Sequence, residues 1–131
     1  IRTVAYFIIG FPNEKKEHIE KTIDFALKLD PDYMQANILT PYPDTPIYSK
    51  ALDERIMDDW AREYTLNPYK GCLRVYEKNL NFNELLSLLK RFYRRFYFRP
   101  SFFLNEIKNS NGVKNILNKI KLAAKLLIWT L

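Results

Sequence analysis

The sequence predicts a mixed α/β fold, a strand–helix–strand unit followed by a helical tail. Three observations carry this. Val4 to Ile9 is an unbroken apolar run rich in β-branched and aromatic residues, the pattern of a strand buried on both faces of a parallel sheet. Ile19, Ile23, Ala26 and Leu27 then recur at helical spacing as one apolar stripe. Tyr33 to Thr40 returns to a period of two, with Met34, Ala36 and Ile38 on one side and Gln35 and Asn37 on the other. Two strands joined through a helix by short corners should lie parallel, with a right-handed crossover.

Between the first strand and its helix stands Gly10-Phe11-Pro12-Asn13. Asn13 is a suitable N-cap, and Glu14 and Glu17 fall where a first helical turn favours anions. Lys15, Lys16, Glu20, Lys21, Asp24 and Lys28 occupy the side opposite the stripe, expected to face water. Asp30-Pro31-Asp32 stops the helix, its two carboxylates acting as turn formers at the amino end of the second strand. After that strand, Pro41 to Pro46 puts three prolines in six residues, a stiff loop. Ile47 to Leu52 follows as a short helix. Arg55 to Tyr76 suggests a helix and then a loop. Phe82 to Phe98 is a long amphipathic helix with the stripe Phe82, Leu85, Leu86, Leu89, Phe92, Tyr93 and Phe96, ended by Pro100. Ser101 to Ile107 extends it, capped by Ser101, and Val113 to Leu131 is a further basic helix. The organisation is therefore 1–54 for the strand–helix unit, 55–80 for a connecting helix and loop, and 81–131 for the basic tail.

Composition bounds the function. The chain has 131 residues, 47% hydrophobic and 27% charged, as a globular domain does. Lone Cys72 and lone His18 exclude a disulfide framework and a metal site built from His and Cys within this chain. Cys72 suits a structural thiol in a reducing cytoplasm, and His18 lies off the apolar stripe, exposed. Charge is unevenly spread: up to Leu86 there are 11 Lys and Arg against 14 Asp and Glu, and from Ser87 onward 10 against 1. A basic tail of this kind meets an anionic partner or packs on the acidic half. The chain opens on Ile1, almost inside a strand, and two parallel strands cannot close a sheet. Both facts suggest a piece of a longer polypeptide whose upstream part supplies the remaining strands.

Ligands of parallel α/β proteins sit at the carboxyl ends of strands. Both corners, Gly10 to Asn13 and Thr40 to Pro43, leave such ends. They form either the rim of a small-molecule cleft or plain tight turns. Gln35 and Asn37 are candidates for hydrogen bonds to substrate or cofactor from an inward face, the other reading being ordinary sheet polars with local partners. Asp53, Glu54, Asp58 and Asp59 suggest a solvated acidic face. Arg91, Arg94, Arg95 and Arg99 interleave with aromatics. At helical spacing this is a core stripe with a basic rim, which argues against nucleic acid. The helix 113–131 has the form of one that lies on an anionic membrane surface or docks on the body of the protein.

YFIIGFPNEKKEHIEKTIDFALKL followed by PDYMQANILTPYPDTPIY resembles the carboxyl-terminal half of a radical S-adenosylmethionine domain. The matching residues are Ile8, Gly10, Phe11, Pro12, Glu14, Ile19, Thr22, Phe25, Ala26, Pro41, Tyr42, Pro43, Thr45, Pro46 and Tyr48, over roughly Val4 to Leu52. Tyr6, Asn13, Lys15 and Asp44 depart from the family's G-x-I-x-G, F-P-G-E-T and P-Y-P-G-T-P patterns. Asn and Asp tolerate glycine-like backbone angles. RFYRRFYFRPSFF, from Arg91 to Phe103, is similar to the tail of members that carry a cobalamin-binding domain. Those members include relatives of the anaerobic magnesium-protoporphyrin ester cyclase and hopanoid-modifying enzymes.

The resemblance implies a partial TIM-like (β/α) barrel. It implies S-adenosylmethionine bound to a [4Fe-4S] cluster and cleaved reductively to a 5′-deoxyadenosyl radical that abstracts hydrogen from substrate. In the looser match it also implies cobalamin. Ile8 and Gly10, with Leu39, would wall the adenine. Gln35, Asn37, Pro41 and Tyr42 would line the substrate side or the barrel mouth. The cluster needs three thiolates and this chain has one cysteine, so the cluster ligands and the cobalamin domain lie in the upstream part of the same polypeptide. The leading expectation is thus an enzyme fragment acting on a small-molecule or lipid-like substrate. The alternative is a non-catalytic module whose basic tail binds an anionic membrane or RNA.

Overall fold

The computed structural model describes residues 1–66 and 74–108. The helix expected over 113–131 and the thiol of Cys72 lie outside the described residues. Strand β1 (Val4–Ile9) and strand β2 (Tyr33–Ile38) pair in parallel, Val4 opposite Tyr33 and Ile9 opposite Ile38, with helix α1 (Lys16–Leu29) between them. Helix α2 (Pro46–Asp53), helix α3 (Ala61–Leu66), helix α4 (Phe82–Tyr97) and helix α5 (Pro100–Lys108) complete the described order. The expected strand–helix–strand unit, and the helical tail as far as Lys108, are present as an α/β arrangement with a two-stranded parallel sheet.

One face of that sheet is covered. Phe7 and Ile9 of β1 and Met34 and Ala36 of β2 meet Ile19, Ile23 and Ala26 of α1 and Leu85, Leu88, Leu89, Phe92 and Phe96 of α4. Phe92 and Phe96 are fully buried, and Phe7 tilts against Phe92 with ring centroids 5.2 Å apart. Burying a large apolar side chain stabilises by about 1.5–3 kcal/mol, so this layer is the principal source of stability. Helix α4 contributes Leu88 as well, which the stripe taken from the sequence omitted.

The other face is open. Val4, Tyr6 and Ile8 are 50%, 71% and 50% exposed, and Gln35 and Asn37 are exposed beside them. The expectation of burial on both faces is therefore corrected: among the described residues, both packing helices lie on the same side of the sheet. Alternation in β2 is as expected, with Met34 and Ala36 inward and Gln35 and Asn37 outward.

Helix ends differ from expectation in instructive ways. Helix α1 begins after Lys15, not after Asn13, because the Glu14 side chain is occupied upstream; the exposed His18 ring accepts from the Lys15 N–H through Nδ1 at 3.3 Å. Asp30 ends it in the left-handed region at φ 48°. Asp32 accepts from the Thr3 N–H at 2.7 Å and hydroxyl at 3.1 Å, tying the amino ends of the two strands together as a turn former should. Helix α4 is capped by Asn81, whose side chain accepts from the Glu84 N–H while Glu84 accepts from the Asn81 N–H. It ends at Tyr97 with Phe98 as cap, and Pro100 opens α5 rather than terminating α4, so Ser101 sits inside α5 and does not cap it.

The two halves of the charge distribution meet at the contact between α1 and α4. Arg91 Nε lies 3.3 Å from Glu20, Arg95 reaches Glu20 at 3.5 Å and Asp24 at 2.8 Å, and Arg99 reaches Asp30 at 2.8 Å and the Pro31 carbonyl at 2.8 Å. The Arg99 guanidinium also lies 3.8 Å over the Phe96 ring. Three tail arginines expected on a solvated rim are thus spent on the acidic half, and Glu20 and Asp24 do not simply face water. No helix among the described residues is long and apolar enough to cross a membrane.

Candidate functional site

The carboxyl ends of β1 and β2 set the candidate site. Gly10 leaves β1 at φ +91°, where a residue with a side chain is strained. A Cβ there would stand 3.3 Å from both Leu85 methyl carbons and 3.5 Å from Ile38 Cγ2. The missing side chain therefore faces α4 and the core, and the glycine is explained by its backbone angle and by that close approach.

Glu14 holds this corner. Its Oε2 accepts from the Gly10 N–H at 2.6 Å and the Phe11 N–H at 2.9 Å. The Asn79 amide donates to the Pro12 and Glu14 carbonyls at 2.9 and 3.2 Å. The Gly10 and Phe11 donors at this corner are therefore already taken by an internal carboxylate. The sequence pattern places Glu14 in a first helical turn, whereas it lies before the helix. Its partners are three and four residues back, a spacing the sequence carries, whereas Asn79 is 65 residues away and carries no local signal.

The second corner is built around aromatic rings. Leu39 continues the ladder past β2, its N–H donating to the Ile9 carbonyl at 2.8 Å. Pro41 is fully buried and offers no surface to a ligand. Pro43 and Asp44 form the centre of a turn closed from Thr45 to the Tyr42 carbonyl, and Asp44 takes φ +65°, the glycine-like angle expected of it. Thr45 caps α2, whose first residue is Pro46. Tyr42 is 51% exposed, its ring 6.0 Å from that of Trp60, which is buried and 6.2 Å from Tyr48.

Behind these rings, the Tyr48 hydroxyl donates to Asp59 at 2.6 Å and accepts from the Trp60 N–H at 2.8 Å. Burial, then the Asp59 carboxylate, pushes the Tyr48 phenol up, while the Tyr48 hydroxyl and the Ala61 N–H hold Asp59 down. Glu54 accepts from Lys78 at 2.8 Å and Tyr76 at 2.7 Å, which lower its carboxyl, and burial pushes Tyr76 up to about 12. Glu54 and Asp59 thus brace the segment after β2 through their hydrogen bonds, and with Asp53 and Asp58 they remain on an exposed acidic face, as the sequence predicts.

The structure therefore gathers some of the predicted residues and separates others. Ile8 stands opposite Asn37 and Tyr6 opposite Gln35 on the open face. Gly10 and Pro41 are turned into the interior, and Tyr42 lies at the edge of the aromatic group. A surface groove of about 400 Å³ between the amino-terminal ends of α1 and α4, flanked by Lys16 and Arg91, contains none of the predicted residues. Among the described residues no three His, Cys, Asp or Glu side chains converge as metal ligands. The open face offers apolar surface, a phenol and two carboxamides, which suits binding and orientation rather than acid–base or nucleophilic chemistry.

No protein-family profile matches the chain, and no solved structure matches it. Over 114 residues, 86% of the chain, it is 34% identical to an uncharacterized methyltransferase of Pyrococcus horikoshii, of which it covers 24%. Over 103 residues, 79% of the chain, it is 33% identical to the anaerobic magnesium-protoporphyrin IX monomethyl ester cyclase of Cereibacter sphaeroides, of which it covers 16%. Over 70 residues, half of the chain, it is 29% identical to the bacteriochlorophyllide d C-12(1)-methyltransferase of Chlorobaculum tepidum, of which it covers 15%. These relatives are enzymes by name, and the chain spans a quarter or less of their length.

Proposed function

We propose that the chain forms the final strand–helix units and helical tail of a radical S-adenosylmethionine enzyme of the cobalamin-associated group. The observation that carries this reading is the one-sided sheet. Both helices pack on one face, and Ile8, Gln35 and Asn37 share the other, as the inner wall of a partial barrel requires. The names of the relatives, two methyltransferases and a cyclase, support an enzyme.

The residues present fit a share of the cofactor site and not the whole. Ile8, half exposed on the open face, would lie against the adenine of S-adenosylmethionine, with Asn37 beside it. Gly10 would contribute through its backbone course alone, because its Cα faces Leu85. One cysteine cannot hold a [4Fe-4S] cluster, so the cluster, like cobalamin, belongs to the rest of the polypeptide. When bound, S-adenosylmethionine would supply a 5′-deoxyadenosyl radical for hydrogen abstraction, with methionine leaving and the electron coming from the reduced cluster, and the protein's part is to position and shield it. Gln35 and Tyr6, further from the rim, would face a small-molecule or lipid-like substrate.

Calorimetric titration of the complete protein with S-adenosylmethionine tests the reading. Ile8→Asp should weaken binding at least about tenfold, the scale of one lost apolar contact plus a buried charge. Glu17→Gln, on the exposed face of α1, should bind as the parent does. Equal affinity of Ile8→Asp and the parent would overturn the assignment. Gly10 is a poorer probe, since any substitution there disturbs the core first. The RNA reading loses support from Arg91, Arg95 and Arg99, which the acidic half already engages, whereas the membrane reading rests on 113–131, outside the described residues.

A further inference from the structure

In a parallel pair the backbone groups of alternate residues point to opposite edges of a strand. Tyr33 and Leu39 donate towards β1, to the Thr3 and Ile9 carbonyls. The N–H and C=O groups of Met34 and Ala36 therefore point to the other edge of β2. An exposed row of this kind is a template for another strand.

Two tyrosines of α4 occupy that row. The Tyr97 hydroxyl accepts from the Met34 N–H at 3.1 Å and donates to the Met34 carbonyl at 2.5 Å. The Tyr93 hydroxyl accepts from the Ala36 N–H at 3.2 Å and donates to the Ala36 carbonyl at 3.1 Å. Each phenol thus replaces both hydrogen bonds that a neighbouring strand would give one residue. The spacing is matched: four residues of helix rise about 6 Å and two residues of strand about 6.6 Å. Helix α4 runs against β2, so its i and i+4 hydroxyls meet strand residues two apart. The rings stack 15° from parallel with centroids 6.0 Å apart, and Phe96 and Phe102 pack edge-on against Tyr97.

We propose that Tyr93 and Tyr97 stand in for a strand at the free edge of β2. They make β2 the last strand of the sheet and leave the outer edge of β1 as the side on which the complete protein adds its next strand. The backbone groups of Val4, Tyr6 and Ile8 point to that edge, opposite in phase to Thr3 and Ile9, which bond β2. The occupant is a strand from the remainder of the polypeptide, for which the relatives leave room, since the chain covers only 24% and 16% of their lengths. This inference stands on hydrogen bonds alone and needs no cofactor, so it fails or survives independently of S-adenosylmethionine binding.

Amide hydrogen exchange and light scattering on the complete protein test it. In Tyr93→Phe/Tyr97→Phe, which keeps both rings, Met34 and Ala36 should exchange up to about tenfold faster, the scale of a lost hydrogen bond. The variant should also form assemblies larger than the parent through the uncovered edge. A double variant that stays at the parent's size overturns the edge block. Should that variant fail to fold, the single variants decide. Tyr93→Phe should speed exchange at Ala36 and Tyr97→Phe at Met34, and unchanged rates overturn the assignment. In the parent, Tyr6 and Ile8 amides should be protected. Exchange there at the rate of an exposed strand overturns growth from β1.

Discussion

At the scale of single residues, Gly10 and Glu14 decide the first corner together. Gly10 supplies a backbone angle of +91° that L residues rarely adopt, and its bare Cα admits Leu85. Gly10→Ala should therefore cost about 1–3 kcal/mol from strain, with more from the contact. In a Leu85→Val background the contact is relieved and the strain is not. The urea midpoint should thus fall less on Gly10→Ala there than in the parent, and equal losses would show that only the backbone angle matters. Glu14→Ala leaves two backbone donors without their carboxylate and should cost about 1–3 kcal/mol, also by urea titration. The glycine was legible as a corner because strand, glycine and proline follow in sequence. Its reason was not, because Leu85 lies 75 residues further on. Asn13 was misread as a cap for the same cause: local capping rules could not show that Glu14 folds back to Gly10 and Phe11, so that the helix starts two residues later.

At the scale of elements, the seam between α1 and α4 has two layers of unequal weight. Its interior is apolar, with Phe92 fully buried among Ile and Leu side chains, and its rim holds Arg91 and Arg95 against Glu20 and Asp24. Truncating a buried Phe to Ala costs about 3–5 kcal/mol, whereas an exposed ion pair contributes about 0–1 kcal/mol and is screened by salt. Phe92→Ala should accordingly lower thermal stability far more than Arg95→Ala. The Arg95→Ala deficit should shrink between 0.1 and 1 M salt, and the Phe92→Ala deficit should not. Equal deficits, or a salt-insensitive Arg95→Ala, would reverse this ranking. The apolar stripe of α4 was legible almost whole, because 3.6-residue periodicity records which face is buried. What that face meets is not recorded: the targets of Tyr93 and Tyr97 lie 57 and 63 residues away, on the backbone of a strand. Likewise the charge split leaves open whether the basic half meets an outside anion or the acidic half, and only the fold shows that the arginines face Glu20, Asp24 and Asp30.

At the scale of the whole molecule, the buried and braced ionisable groups set a pH window. Thr3 holds Asp32 low, Lys78 holds Glu54 low and Tyr48 holds Asp59 low. Their stabilisation is present above about pH 4 and lost as pH falls through the depressed values. On the alkaline side the sign is opposite. Burial raises Tyr48, Tyr76 and Tyr97. The folded state thus keeps protons that the unfolded chain gives up from about pH 10, and stability falls as pH rises through that range. Tyr76 offers the clearest test, since its phenol titrates at about 12 and donates to Glu54. Tyr76→Phe should be less stable than the parent at pH 7, having lost that hydrogen bond while Glu54 retains Lys78. Between pH 10 and 12 the parent loses what the variant never had, so the two urea midpoints should converge. A gap that stays constant from pH 7 to pH 11 would mean that Tyr76 ionises freely in the folded protein, and that the brace from Glu54 to the segment before α4 is not closed in solution.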